Sequence, residues 1–404
     1  MRISTSSFYE NAGSKISELQ SSLASKQNQI STGRRIQVPS DDPVAAAAAL
    51  DVQQAAGVNT QFATNRDSAK TALNLQETAL TQYTDLLQNI KTLTVAAGDG
   101  VLDDSQRKFF AEQLNNDFQN LLGIANTQDS AGNFIFAGFK ATTQPFSQTG
   151  ASVIYAGDQG QRLLPVSTSR QLALNDSGDA VFQNIKTGNG TFTTSAAPAN
   201  TGNGIIGTGS VTNAAQVTGD TYRVDFSITA GVTNFSVTDL TKSPVTTVAS
   251  GPYTPGQTIA FDGLQFDING SPANGDNFSV KPSANQSIFQ TVSDLMAALN
   301  ASTAGPAARA ALTSSLAVAN NNVSSALDAA LTIRASGGAR LQEIDSLDSE
   351  GADRGLQYAT RLSNLQDLDY AKAVTELTQQ QVTLQAAQQS FVKIANLSLF
   401  DYLR

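Results

Sequence analysis

The chain has 404 residues, no cysteine, no histidine and a formal net charge of −9. Without Cys and His it has no disulfides, no thiolate nucleophile, and neither the commonest general base nor the commonest metal ligands. The acidic balance, without clustered Lys and Arg, argues against nucleic acid as a partner, and no apolar run approaches the roughly 18 residues that span a membrane.

Composition divides the chain into three zones. Residues 1 to about 140 are rich in Ala, Gln, Leu and Asn, with Pro39 and Pro43 as the only prolines. Residues 285–404 look alike, with Pro306 alone. The stretch 141–284 is dense in Gly, Thr, Ser and Pro and contains no Glu. The outer zones predict helices and the middle zone predicts strands.

In chain order, the opening Met1–Glu10 lacks the continuous apolar stretch of a Sec signal peptide. Ile16, Leu23 and Ile30 then recur every seven residues, with Leu19 between them, and Gly33 stops that helix. Asp42-Pro43 opens a second helix as an acidic cap followed by proline at the first turn. It carries Leu73, Leu80 and Leu87 until Gly98–Gly100 break it. A third helix begins near Asp104 and places Phe110, Leu114, Phe118 and Leu121 on one face. In the middle zone, Tyr222–Ile228 and Thr233–Val237 alternate as the arms of a hairpin, and Asn269-Gly270 and Asn274-Gly275 mark turns. Leu312–Ile333 reads as helix, loosened or kinked at Ser336-Gly337-Gly338 and continuing to about Leu347. The last helix sets Tyr370, Leu377, Leu384 and Phe391 at intervals of seven, with Ile394 on the same face.

The two ends are poor in charge. From Leu377 to Phe400 the only charged residue is Lys393, and residues 1–33 carry only Arg2, Glu10, Lys15, Glu18 and Lys26. A solvated helix usually shows charge on its outer side, whereas Gln and Ser suit a helix touched by protein on several sides. Pattern alone leaves two partners open: the other end of the same chain, or neighbouring subunits.

Other constellations read as structure. Ser40-Asp41-Asp42-Pro43 contains two carboxylates but fits a helix cap better than an acid/base pair. Asp262, Asp267, Asn269 and Asp276 fail the spacing of a calcium loop. Arg334, Arg340, Arg354 and Arg361 alternate with Glu343, Asp345, Asp348, Glu350 and Asp353, as on a solvated or subunit-bridging ion-pair face. The many Ser and Thr of the middle zone read as ordinary β-surface, with O-linked sugar as the sharper alternative. No catalytic, cofactor or metal site is expected.

Several ordered motifs resemble the flagellin superfamily, and within it the hook–filament junction branch, hook-associated protein 3. They are Met1-Arg2-Ile3-Ser4-Thr5, Gln29–Ile36 followed by Pro39-Ser40-Asp41-Asp42-Pro43, Asn133–Phe139 with Pro145-Phe146, Leu365–Ala373, and Leu397–Leu403. The resemblance covers about residues 1–150 and 285–404; nothing is carried over to the centre.

That resemblance implies a secreted, extracellular structural protein of the bacterial flagellum that links hook to filament and templates flagellin. It implies export through the flagellar type III route, and as partners other copies of itself, the first junction protein, flagellin and an export chaperone. Flagellin itself is the alternative. An enzyme or an adhesin-like module in the middle zone are rivals of other classes, and neither has a motif.

The expected fold is mainly α: a long antiparallel helical bundle and coiled coil from both chain ends, with an inserted β-rich domain. The expected division is 1–40 and 366–404 as coiled-coil segments of an inner tube, 41–140 and 285–365 as the bundle, and 141–284 as the outer β domain. Expected interface residues are Ile16, Leu19, Leu23 and Ile30 on the first helix, and Leu377, Leu384, Phe391, Ile394, Leu397, Leu399 and Phe400 on the last. Pro39, Ser40, Asp41, Asp42 and Pro43 form the expected cap and turn.

Overall fold

The computed structural model describes residues 5–150 and 152–402, without the side chains of 5, 6, 8 and 395–402. It divides into two compact units, residues 1–64 with 346–404, and residues 65–345. The described residues form six α-helices: α1 (Thr5–Thr32), α2 (Pro43–Ala97), α3 (Asp104–Ala125), α4 (Ile288–Asn300), α5 (Pro306–Gln366) and α6 (Tyr370–Tyr402).

Local chemistry explains several of their ends. Asp103 caps α3 reciprocally: its carboxylate accepts from the Gln106 N–H at 2.7 Å, and the Gln106 side chain accepts from the Asp103 N–H at 2.9 Å. Ser287 Oγ accepts from the Phe289 N–H at 3.1 Å and starts α4. As expected, helix continues through Ser336-Gly337-Gly338; contrary to the expected end near Leu347, α5 runs on to Gln366. Each glycine costs about 1 kcal/mol relative to Ala but keeps its N–H in the helix ladder. Ion pairs hold the helix on both sides of them, Arg334 to Glu77 at 2.6 Å and Arg340 to Asp176 at 2.8 Å.

Among the described residues fifteen strands lie between α3 and α4. Those before residue 190 are short: β1 (Phe146–Thr149), β2 (Ser152–Tyr155), β3 (Leu163–Pro165), β4 (Gln171–Ala173) and β5 (Ile185–Lys186). Next come β6 (Phe192–Ala196), β7 (Ile205–Ile206), β8 (Ser210–Val211), β9 (Tyr222–Thr229) and β10 (Val232–Asp239). The last five are β11 (Thr246–Pro252), β12 (Thr258–Phe261), β13 (Leu264–Asn269), β14 (Asn277–Pro282) and β15 (Asn285–Gln286). The main sheet has the order β11-β10-β9-β14-β6, and a second has β12-β13-β7 with β8 also on β13. The expected hairpin is β9/β10, antiparallel with Phe226 opposite Phe235. Gly270 and Gly275, at φ +86° and +91°, occupy the turn between β13 and β14.

Two cores divide these strands in a way that composition does not show. Phe146 of β1, Phe182 and Ile185 bury into the same core as Tyr83, Leu87, Phe118 and Phe289 of the helices. Phe182 meets Tyr83 at 4.8 Å, Phe136 at 5.1 Å and Phe146 at 5.4 Å between ring centroids. β6 to β14 enclose a second core of Tyr222, Val224, Phe226, Phe266, Ile268 and Phe278 among others. The helical core therefore extends past residue 141 to Ile185, and the self-contained β core begins at Phe192.

Candidate assembly surface at the chain ends

Helices α1 and α6 lie side by side and antiparallel. The Tyr9 and Phe391 rings meet edge to face at 5.9 Å, Gln380 Nε2 donates to Ser22 Oγ at 3.1 Å, and Lys26 pairs with Glu376 at 2.6 Å. Ile16, Leu19, Leu23 and Ile30 are half-buried on α1, as are Leu377, Leu384 and Phe391 on α6. Ile394 is 42% exposed. The side chains of Leu397, Leu399 and Phe400 lie outside the described residues.

No described side chain of α1 is buried, and Ala373 is the only one on α6. Val374, Val382 and Val392 of α6 are each about half exposed. These are 28 and 33 residues of helix, each with an apolar stripe that the other covers only in part. Burying a Leu or Ile fully contributes about 1.5–3 kcal/mol, so much of that stabilisation remains unused in the single chain.

A clasp closes the pair where both helices begin or end on this side. Arg35 N–H donates to the Gln366 carbonyl at 2.7 Å, and Leu368 N–H to the Gly33 carbonyl at 2.9 Å. Arg34 and Asp367 form the bridge between these bonds. The Arg35 guanidinium donates to the Leu365 carbonyl at 2.8 Å and pairs with Asp42 at 3.0 Å. Gly33 adopts φ +69°, and a Cβ there would sit 2.8 Å from Tyr370 Oη. Glycine thus supplies both the left-handed turn and the room for Tyr370.

The Pro39–Pro43 motif shapes the entry to α2. Asp41 accepts from the N–H groups of Gln37 and Val38 at 2.9 and 3.0 Å, and Asp42 accepts from the Ala45 N–H at 3.0 Å. The Val38 and Gln37 N–H groups hold the Asp41 carboxyl below its ordinary range. The Ala45 N–H and then Arg35 do the same for Asp42. Lys26 likewise lowers Glu376. Both aspartates accept from main-chain donors, and Asp42 also from Arg35, which is capping geometry.

Many residues of the other constellations also find partners within the chain. Asp276 accepts from the N–H groups of Thr201, Gly202 and Ala273, Asp262 from Tyr222, and Asp267 from Asn269. Among the described residues no cluster of acidic side chains could hold a metal ion. On α5, Arg334, Arg340, Glu343 and Asp345 pair inside the chain with Glu77, Asp176, Arg170 and Lys70. Arg354 pairs with Glu350 one turn away.

Sequence reasoning missed Arg35 and the contact of Gly33 with Tyr370. Gly33 carried a signal as a helix stop, and Tyr370 as the first member of a heptad. Their proximity had none, because the two are separated by almost the whole chain.

Comparison with known proteins gives consistent results. The profile of the bacterial flagellin N-terminal helical region matches residues 3–141, and that of a flagellar hook-associated protein 1 D2-like domain matches residues 195–282. The second match coincides with the self-contained β core. Flagellar hook-associated protein 3 of Escherichia coli K12 is 28% identical over 401 residues, covering 99% of each chain. The crystal structure of the flagellar junction protein FlgL from Legionella pneumophila is 30% identical with a TM-score of 0.72, covering 79% of this chain and all of that one. Xanthomonas campestris FlgL is 31% identical with a TM-score of 0.68, covering 73% and 95%.

Proposed function

The chain belongs to the flagellar hook-associated protein 3 (FlgL) family, and from that premise we propose that its terminal helices complete their packing on neighbouring subunits where hook meets filament. It is a structural junction protein of the bacterial flagellum that connects the two. Flagellin, the alternative, shares the N-terminal helical region, but the relatives matched over the full length are named flagellar hook-associated protein 3.

One observation carries the assembly reading: the described heptad side chains of α1 and α6 are at most half-buried in the single chain. Ile16, Leu19, Leu23 and Ile30 would gain full burial in a tube built with Leu377, Leu384, Phe391, Ile394, Leu397, Leu399 and Phe400 of other copies. In this reading 1–40 and 366–404 line the inner tube, 41–140 and 285–365 surround it, and 141–284 faces outward, rooted in the helical core through Phe146, Phe182 and Ile185. The cap at Pro39–Pro43 and the Arg35 clasp set the turn from tube to shell.

The partners of this arrangement are further copies of the chain, the first junction protein on the hook side and flagellin on the other, with flagellin templated by the exposed helical ends. Export runs unfolded through the flagellar route, with a chaperone beforehand, and delivers the protein outside the cell. The absence of cysteine suits that passage, since no disulfide can form to obstruct it. The role is mechanical, and we assign no catalytic activity.

A deletion strain complemented with the Leu377→Asp, Leu384→Asp double variant tests this. The expected result is loss of filaments with flagellin released into the medium, while the variant itself is exported. Filaments of normal number and length would refute the assembly role of these positions.

A further inference from the structure

A second surface, built wholly from residues 193–322, has no part in that role. Between β6 and the helices α4 and α5 lies a cleft of about 380 Å³. It touches Thr193 through Pro198 without a gap. Side chains alternate between faces along a strand, so a cleft in contact with six consecutive residues runs along the strand's edge.

That edge is open. β6 ends the main sheet, and no strand pairs with its outer side among the described residues. Ala197 N–H donates to the Asn277 carbonyl next to β14. By alternation, the main-chain groups of Thr194 and Ala196 face away from β14. Edges are usually blunted by Lys, Pro or a bulge; Phe192–Ala196 contains neither Lys nor Pro, and its register with β14 is regular.

The opposite wall supplies shape and chemistry. Ala311, Ser315 and Ala319 of α5 keep it shallow, with Leu295 and Val318 as apolar contacts. Ser314 is only 6% exposed, yet its Oγ has no hydrogen-bond partner. Buried hydroxyls rarely go unpaired, so it is available to an incoming group. Asp294 is the only ionisable residue of the lining. Its carboxylate accepts from Gln286 Nε2 at 3.2 Å and Gln290 Nε2 at 2.7 Å, both neutral amides. A charge so placed selects a cation.

We propose that this cleft receives an extended segment of another protein, which adds a strand to β6 and places one Lys or Arg side chain against Asp294. Asn189 already closes the outward N–H and carbonyl of Phe192, so the free edge Thr193–Ala196 is about 14 Å long, enough for about four residues in register. Main-chain bonds to Thr194 and Ala196 hold the segment, and small or β-branched side chains meet the Ala/Ser wall of α5.

The test uses the full chain, labelled with ¹⁵N, and two blocked pentapeptides, Thr-Val-Lys-Val-Thr and Val-Thr-Arg-Thr-Val. At least one should bind saturably, shifting the amides of Thr194, Ala196 and Ser314. Asp294→Asn should weaken binding about fivefold. Ser315→Phe, at an exposed position, should block it while leaving thermal unfolding unchanged. A peptide N-methylated at alternate amides, or carrying Glu for the basic residue, should not bind. The proposal is overturned if neither peptide binds, if the methylated or Glu peptide binds equally well, or if both variants bind as the parent does. Self-association of the peptide-free chain through these same amides would assign the cleft to a second copy and likewise overturn it.

Discussion

Helix α4 buries six of its 13 residues and α3 seven of its 22, while the 28 residues of α1 bury none among those described. All three are amphipathic and all three have a partner helix. The difference lies in what surrounds them. α3 and α4 press Phe118 and Phe289 together at 5.7 Å inside an aromatic cluster fed by α2, β1 and the Phe182 turn. Among the described residues α1 packs chiefly on α6, and a pair of helices leaves most of each stripe on its flank. A two-helix contact sets register, and burial of the stripe then requires further helices.

That contrast has measurable consequences. Phe182→Ala, in the aromatic cluster, should destabilise residues 65–345 by about 3–5 kcal/mol. Leu23→Ala, on the half-buried stripe, should cost the free chain about 1 kcal/mol or less. Denaturant midpoints of the two variants check the pair, and equal losses would erase the distinction between the regions.

The clasp should respond next. Gly33→Ala forces a side chain into a left-handed backbone and against Tyr370 Oη, with an expected cost of about 1–2 kcal/mol. Adding Tyr370→Phe removes the oxygen but not the backbone strain, so recovery should be partial. Amide exchange at Arg35 and Leu368 reads this directly, and full recovery would show the backbone to be unstrained.

Acidity should act oppositely in the two regions. Asp41, Asp42 and Glu376 have lowered folded pKa values, so their stabilisation is complete above the ordinary values of 3.8 and 4.5 and is lost as pH falls further. The protection of the Val38 and Ala45 amides, taken relative to their intrinsic exchange, should therefore fall below about pH 4. Asp117, next to Phe118, is raised by burial against a smaller opposing effect of Asn89. Its protonation favours the folded form, so the stability it contributes is gained on acidification and lost as pH rises through the folded value. Smallest of all, Lys26→Met should leave the denaturant midpoint almost unchanged, as for a surface ion pair.

Much of the fold was legible because it is periodic. The heptads of the ends, the stop at Gly33, the start at Asp42-Pro43 and the β9/β10 hairpin all follow from local rules. What escaped is non-local. Nothing near Phe146 or Phe182 indicates that these residues serve the helical core, since an aromatic in a Thr- and Gly-rich stretch looks the same whichever core receives it. Gly337-Gly338 read as a loosened point, and the helix as ending near Leu347, because the partners that hold Arg334 and Arg340 lie far away in sequence. At the candidate surface the apolar positions could be read directly. The Arg35 clasp could not, because its acceptor carbonyls are 330 residues away or more.

The decisive measurement is amide exchange of α1 and α6 in the dilute chain and again after assembly at the hook end, with α3 and α4 as internal reference. If neighbours complete the terminal stripes, α1 and α6 should exchange far faster than α3 and α4 in the free chain. On assembly they should slow by about a hundredfold or more, corresponding to roughly 3 kcal/mol. Terminal helices already protected as strongly as α3 and α4 in the dilute chain, and unchanged on assembly, would contradict it.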